Sequence, residues 1–249
     1  MEGKTKLEDQ YKINDCHVHV GRMSGINQSL NTEDIIDFKK QNNIDKVLLL
    51  ASDSDPEKSN NMVEFLVDNI PDTYGLHWWI NGSNNIKLTN KIIGVKYHGT
   101  YAKKPITSLN PRIFEALDKH KAIIMVHCGR YLEGDIKSNT SYLHALQVAR
   151  KYPNIKVILS HMGGTDTTVC KKAIMHGTMI HNVYFDTSGI TTPFIIEHAC
   201  DRLPTTRILF GSDSPWCSFK AMYNTVMDAI VNKLEKKDIL HDSFELLLK

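Results

Sequence analysis

The residues with the most chemical potential begin in one short run, Asp15-Cys16-His17-Val18-His19, inside the β-rich stretch INDCHVHV. Side chains alternate across a strand, so His17 and His19 are expected on one face with Asp15. Cys16, Val18 and Val20 are then expected on the other face, against a helix layer. Two imidazoles two residues apart can chelate one metal ion. As ordinary buried neighbours they would repel each other once protonated. Further along, His127, His161 and Asp213 each close an apolar run, and each is followed by loop chemistry: Cys-Gly-Arg, Met-Gly-Gly and Ser-Pro-Trp. Lys96 and His98, in GVKYHG, share one parity. Singly, such residues are more often structural. Together they supply imidazoles, a carboxylate and an amine on several β-rich runs.

The elements that position them alternate in type. Eight β-rich runs are read at 13–20, 45–52, 73–80, 92–99, 122–129, 155–162, 182–189 and 206–213. Helical patterns lie between most of them. Thr32 is expected to cap TEDIIDFKKQ, with Glu33 and Asp34 in its first turn. Pro56 and Pro71 bracket a second helix, and Met222, Val226, Ile230 and Leu234 form a stripe at four-residue steps. Only Asn81 to Lys91 joins the third run to the fourth, too short for an ordinary crossover, so that helix is expected to be abbreviated or missing. Strands alternating with helices imply parallel pairing with right-handed crossovers. Eight of them in 249 residues predict one α/β domain over 1–249, a (β/α)8 TIM barrel whose active site lies at the C-terminal ends of its strands. No G-x-G-x-x-G follows a strand, which counts against a nucleotide-binding sheet.

Charge narrows the partners. Thirty Lys and Arg against 28 Asp and Glu leave a net charge of +2, with no basic stripe, so nucleic acid is not expected. No apolar run approaches a membrane span, and the polar start MEGKTKLEDQYK lacks the apolar core of a signal peptide. The five cysteines form no C-x-x-C pair. An odd count in a chain of this size reads as a reducing, cytoplasmic setting and excludes a cysteine zinc site. A small-molecule substrate is the expected partner, and a homodimer is compatible with the composition.

D-x-H-x-H on the first strand, His127 on the fifth, H-M-G-G on the sixth and G-S-D-S-P on the eighth resemble the amidohydrolase superfamily, in particular its amidohydrolase-related branch of hydrolases and decarboxylases. The resemblance runs from the first strand to the eighth. It implies His17, His19, His127 and Asp213 around one divalent ion, commonly zinc, with manganese as the other choice. It also implies that His161 makes no metal bond and polarises or handles protons. Binuclear members of the superfamily carry a carbamylated lysine on strand four. Lys96 is read instead as an ordinary amine that binds a substrate carboxylate. His98, Arg130 and Arg22 are the other substrate-contact candidates, since arginine offers a bidentate fork to a carboxylate. Of His77 and Trp79, which share a face of the third strand, Trp79 is read as either core or pocket wall. Asp186 ends the seventh strand and could anchor a neighbouring strand-end residue.

The expected chemistry is hydrolysis of an amide or lactone bond in a carboxylate-bearing substrate, with Asp213 and His161 as the catalytic residues. A decarboxylase of an unsaturated or aromatic acid is the alternative. A non-catalytic metabolite-binding barrel is a third reading, and the filled site positions argue against it.

Overall fold

The computed structural model describes residues 11–21, 30–51, 55–79, 86–129 and 139–249. Eight strands follow one another round a single sheet: β1 (Ile13–Val20), β2 (Ile44–Ala51), β3 (Thr73–Trp79), β4 (Ile92–Tyr97), β5 (Ile123–Val126), β6 (Lys156–Leu159), β7 (Val183–Asp186) and β8 (Ile208–Leu209). Each pairs in parallel with the next. β8 returns to β1 through a bridge between Val18 and Ser214 and through backbone bonds from Cys16 N to Phe210 O and from Asp213 N to His17 O. The sheet is therefore the expected (β/α)8 barrel. Its later strands stop short of the apolar runs, because the residues that close those runs leave the ladder for the barrel mouth.

The helices are α1 (Thr32–Gln41), α2 (Pro56–Asn69), the single turn α3 (Gly99–Ala102), α4 (Pro111–Lys119), α5 (Tyr142–Lys151), α6 (Thr167–Gly177), α7 (Pro193–Cys200), α8 (Phe219–Asp228), α9 (Lys233–Lys237) and α10 (Ser243–Leu247). Asn31 rather than Thr32 caps α1, in a reciprocal box with Asp34; the Asn oxygen reaches the Asp34 N–H while the Asp carboxylate reaches back. Among the described residues between β3 and β4 none is helical, as the short connection requires. The four-step stripe after β8 holds only for Met222 and Val226. Ala229 turns extended, Asn232 starts α9 with its own capping box, and Ile230 and Leu234 are 88% and 73% exposed. The chain leaves the helix at Ala229, which is buried, and the Asn232 cap starts a new helix whose face differs from that of α8.

Two apolar layers follow from strand alternation. Outward residues such as Val47, Leu49, Val95, Val157 and Phe185 pack under the helices. Inward residues such as Leu48, Leu50, Leu76, Met125 and Ile158 fill the barrel and are plugged from the N-terminal end by Phe244 and Leu247 of α10. Burying a Leu or Phe side chain contributes about 1.5–3 kcal/mol, so this floor is a firm platform. It also leaves the polar residues at the opposite end in a low-dielectric setting. β4 and β5 approach so closely that a Cβ on Gly94 would stand 1.9 Å from the Ile123 carbonyl oxygen.

Candidate active site at the barrel mouth

Strand alternation is broken where it matters most. Asp15 pairs with Val47 and Val18 with Leu49, so β1 spends three residues against two of β2. This bulge sends two consecutive side chains, Cys16 and His17, into the barrel. Cys16 packs with Leu48 and Leu50 in the interior, contrary to the expectation that it faces the helices. Asp15 sits in register with outward-facing Val47, not on the face of His17 and His19. Its Oδ1 accepts the backbone N–H of His17, 3.1 Å away, and that of Ser212, 2.9 Å away. The first donor is one that a bulge takes out of the ladder. Asp15 therefore holds the bulge that aims both imidazoles into the mouth. Burial, only partly offset by these bonds, pushes its carboxyl up to about 7.

Three donor atoms converge there. His17 Nε2 lies 3.2 Å from His19 Nε2, and Asp213 Oδ1 lies 3.3 Å from the former and 3.1 Å from the latter. Ligands held about 2.0–2.1 Å from a tetrahedral ion stand roughly 3.3 Å apart. The spacing and the N, N, O donor set therefore fit a divalent cation. Burial and Lys96 push His17 down to about 4, and burial lowers His19 against its bond to Asp213, so both imidazoles are neutral at neutral pH, each with one ring nitrogen free to act as a ligand. Burial opposes ionisation of Asp213, yet His17, the bond to His19 and His161 hold it far below the carboxylate range. Asp213 and His161 both adopt left-handed backbone, φ 57° and 58°, a conformation that costs non-glycine residues about 1–3 kcal/mol and persists where the surroundings enforce it.

His127 stands beside this triad rather than in it, since the close cluster of possible ligands contains His17, His19 and Asp213. Its Nδ1 is 3.2 Å from His161 Nε2, and its Nε2 is buried with no hydrogen-bond partner among the described residues. His161 Nδ1 donates to the Ser188 carbonyl, 3.0 Å away, so its Nε2 is the atom that faces the mouth. Burial and the neighbouring histidines push His127 well below the usual range.

Lys96 and His98 both enter the mouth. Lys96, 1% exposed, donates from Nζ to Ser160 Oγ at 2.8 Å and lies 3.4 Å from His17 Nε2. Burial lowers its amine to about 8 against the pull of Asp186 and Asp213. His98 stacks flat on His127, with ring centroids 3.8 Å apart at 11°, and Tyr101 meets its edge. Trp78 extends this aromatic wall, packing on His98 and Tyr101. Trp79 turns outward into the core against Tyr97 and Phe114, and His77 turns outward to Glu64 of α2. Arg22 and Arg130 lie outside the described residues.

Ser160, Ser188, Trp78 and Tyr101 are site residues that sequence reasoning passed over. The signal for Ser188 was available, because it follows Asp186 by two residues at the end of β7. The signal for Trp78 was its parity with Leu76, which lines the interior. Asp186 ends β7 as expected and is bound by two site histidines. His17 Nδ1 donates to its Oδ2 at 2.9 Å, and the His161 backbone N–H donates to its Oδ1 at 2.8 Å. Burial opposes its ionisation, and these partners with Lys96 outweigh that and hold it at about 2.

Comparison with known proteins agrees with this architecture. No curated protein matches the chain by sequence. Among solved structures, the chain resembles 2,6-dihydroxybenzoate decarboxylase from Rhizobium (12% identity, 96% of this chain and 99% of that one, TM-score 0.72). It resembles dihydroxybenzoic acid decarboxylase from Polaromonas sp. JS666, solved with bound manganese and the inhibitor 2-nitroresorcinol (13%, 96% and 97%, 0.72). It also resembles an amidohydrolase from Burkholderia multivorans with bound HEPES (12%, 95% and 98%, 0.75). At these identities the likeness establishes a common fold. The sequence pattern of the amidohydrolase family matches residues 89–242, more than half of the chain, and this protein therefore belongs to the amidohydrolase family.

Proposed function

We propose that this enzyme is a metal-dependent hydrolase that cleaves an amide or lactone bond in a small, carboxylate-bearing substrate in the cytoplasm. The observation that carries the reading is the buried triad of His17 Nε2, His19 Nε2 and Asp213 Oδ1, all within 3.3 Å of one another. These three would hold one divalent ion, zinc in the first instance and manganese in the second. His127, with its buried and unpartnered Nε2, is the fourth ligand the reading requires. Bound there, such an ion would supply Lewis-acid chemistry, which lowers the pKa of a coordinated water to about 7 and polarises a carbonyl.

The chain's own residues supply the remainder. Asp213 keeps Oδ1 beside the two imidazoles, and among the described residues its Oδ2 has only the Cys217 thiol as a hydrogen-bond partner, 3.9 Å away. Oδ2 is thus the oxygen left to accept a proton and return it to the leaving group. His161 Nε2, oriented by the Nδ1 bond to Ser188, handles protons or stabilises negative charge developing on the substrate oxygen. Lys96 is buried with a hydroxyl and an imidazole as its polar contacts. It makes no ion pair among the described residues and offers its amine to a substrate carboxylate. Arg130 and Arg22 are proposed to complete that anion site.

One observation favours a second reading, a decarboxylase of a planar acid. The wall of His98, Tyr101 and Trp78 suits a flat unsaturated ring, and two structural neighbours are decarboxylases of dihydroxybenzoates. Turnover of lactones, amides and carboxylated aromatics in ¹⁸O-labelled water distinguishes the two. Label in a new product carboxylate supports hydrolysis. Stoichiometric carbon dioxide, with solvent hydrogen on carbon, supports decarboxylation and overturns the first reading.

A further inference from the structure

We infer that Asp186 is a positioning residue that sets the tautomer of His17, so that one buried carboxylate decides whether Nε2 of that imidazole can serve as a metal ligand. The inference rests on the metal-site reading above only for its functional consequence. The tautomer itself is a property of the metal-free chain.

The two oxygens of Asp186 have different tasks. Oδ1 is surrounded by donors: the backbone N–H of His161 at 2.8 Å, the backbone N–H of Ser188 at 3.1 Å, and the Ser188 hydroxyl. Among the described residues Oδ2 has a single hydrogen-bond partner, His17 Nδ1, at 2.9 Å. A carboxylate only accepts, so His17 must carry its proton on Nδ1. Nε2 is then an unprotonated acceptor, 3.3 Å from Asp213 Oδ1, 3.2 Å from His19 Nε2 and 3.4 Å from the donor Lys96 Nζ. Ser188 Oγ lies 3.1 Å from His17 Nδ1 and 2.8 Å from His161 Nδ1, and with its proton committed to Asp186 it too accepts. His17, His161, Asp186 and Ser188 are at most 4% exposed, so water does not offer His17 Nδ1 an alternative partner.

The asymmetry makes an isosteric test sharp. In Asp186→Asn the amide oxygen is drawn to the position with three donors, and the amide nitrogen is left facing His17 Nδ1. That nitrogen donates, so the His17 proton moves to Nε2, where it can bond Asp213 Oδ1. Nothing in this exchange empties a cavity or orphans a backbone group, so the variant folds. It loses a metal ligand without losing the histidine. His161 keeps its tautomer, because its Nδ1–H still donates to the Ser188 carbonyl.

The experiment is ¹⁵N NMR of histidine-labelled, metal-free protein, with zinc affinity measured by chelator competition. The expected result is a His17 proton on Nδ1 in the wild type and on Nε2 in Asp186→Asn. His161 should be unchanged, and the variant should bind zinc at least 10–100-fold more weakly, the usual cost of removing a partner that orients a ligand. Ser188→Ala should keep the wild-type His17 tautomer and most of the zinc affinity. A wild-type His17 protonated on Nε2, or an Asp186→Asn variant that retains the Nδ1 proton, overturns the inference whether or not the variant is fully stable. If the tautomers behave as stated but the wild type binds no zinc, the inference holds and the metal-site reading fails.

Discussion

Replacing Asp15 separates two contributions of the residue that holds the β1 bulge. Asp15→Asn keeps an acceptor for the N–H groups of His17 and Ser212 and removes the titratable proton; Asp15→Ala removes both. In the fold the carboxyl sits at about 7 against 3.8 in the unfolded chain. A raised folded pKa means that the protonated form is favoured by folding. Its contribution is present in full below 3.8 and is lost as pH rises through about 7. A difference of roughly 3 units at 1.36 kcal/mol each is about 4 kcal/mol. The stability of Asp15→Asn relative to wild type should therefore rise by about that amount between pH 4 and pH 8. Asp15→Ala leaves two buried N–H groups without acceptors, at about 1–3 kcal/mol each, and should lie about 2–6 kcal/mol below Asp15→Asn throughout. Urea unfolding of the chelator-treated proteins, followed by tryptophan fluorescence at several pH values, measures both gaps. A pH-independent gap between Asp15→Asn and wild type would show that the carboxyl is not held protonated by burial. An Asn variant as unstable as Ala would show that the two backbone bonds do not hold the bulge.

Three other outcomes are expected. Asp213→Asn should keep much of the bound metal, because an amide oxygen can still coordinate, while turnover falls by about 10²–10⁴-fold with loss of the proton acceptor; elemental analysis beside a turnover assay checks this. The metal-free protein should lose stability steeply on acidification from pH 6.5 towards 4. Burial pushes His17 to about 4 and His98 and His127 well below 6.5, so the unfolded chain binds more protons, with Asp15 opposing. A net uptake of about two protons at pH 5.5 corresponds to roughly 2.7 kcal/mol per pH unit, and a flat profile in urea titrations would contradict it. Gly94→Ala should destabilise by about 3 kcal/mol or more in the same assay, because its Cβ meets the Ile123 carbonyl at 1.9 Å and neither strand can yield without displacing Lys96.

Much of this molecule is local and periodic, and that part is legible in the sequence by itself. Eight runs of strand-forming residues separated by amphipathic stretches dictate parallel pairing, and the short link after β3 leaves room for no ordinary helix. Alternation along β4 put Lys96 and His98 inside the barrel, and the residues closing the later runs, His127, His161 and Asp213, arrive at its mouth. The errors fall where one residue's direction depends on a partner distant in the chain. The bulge at Cys16 and His17 exists because Asp15 captures the His17 N–H together with the N–H of Ser212, 197 residues away, and no periodicity of β1 announces it. The stripe from Met222 to Leu234 fails because the helix ends at Ala229, which is itself buried, and the Asn232 cap starts a new helix that leaves Ile230 and Leu234 in solvent. Whether His127 joins the triad or leans on His161, and which proton His17 carries, are decided by side chains from six strand ends meeting in a dry volume. There the cost of an unpaired polar atom or a misplaced charge selects one hydrogen-bond pattern from many that the residue types would allow.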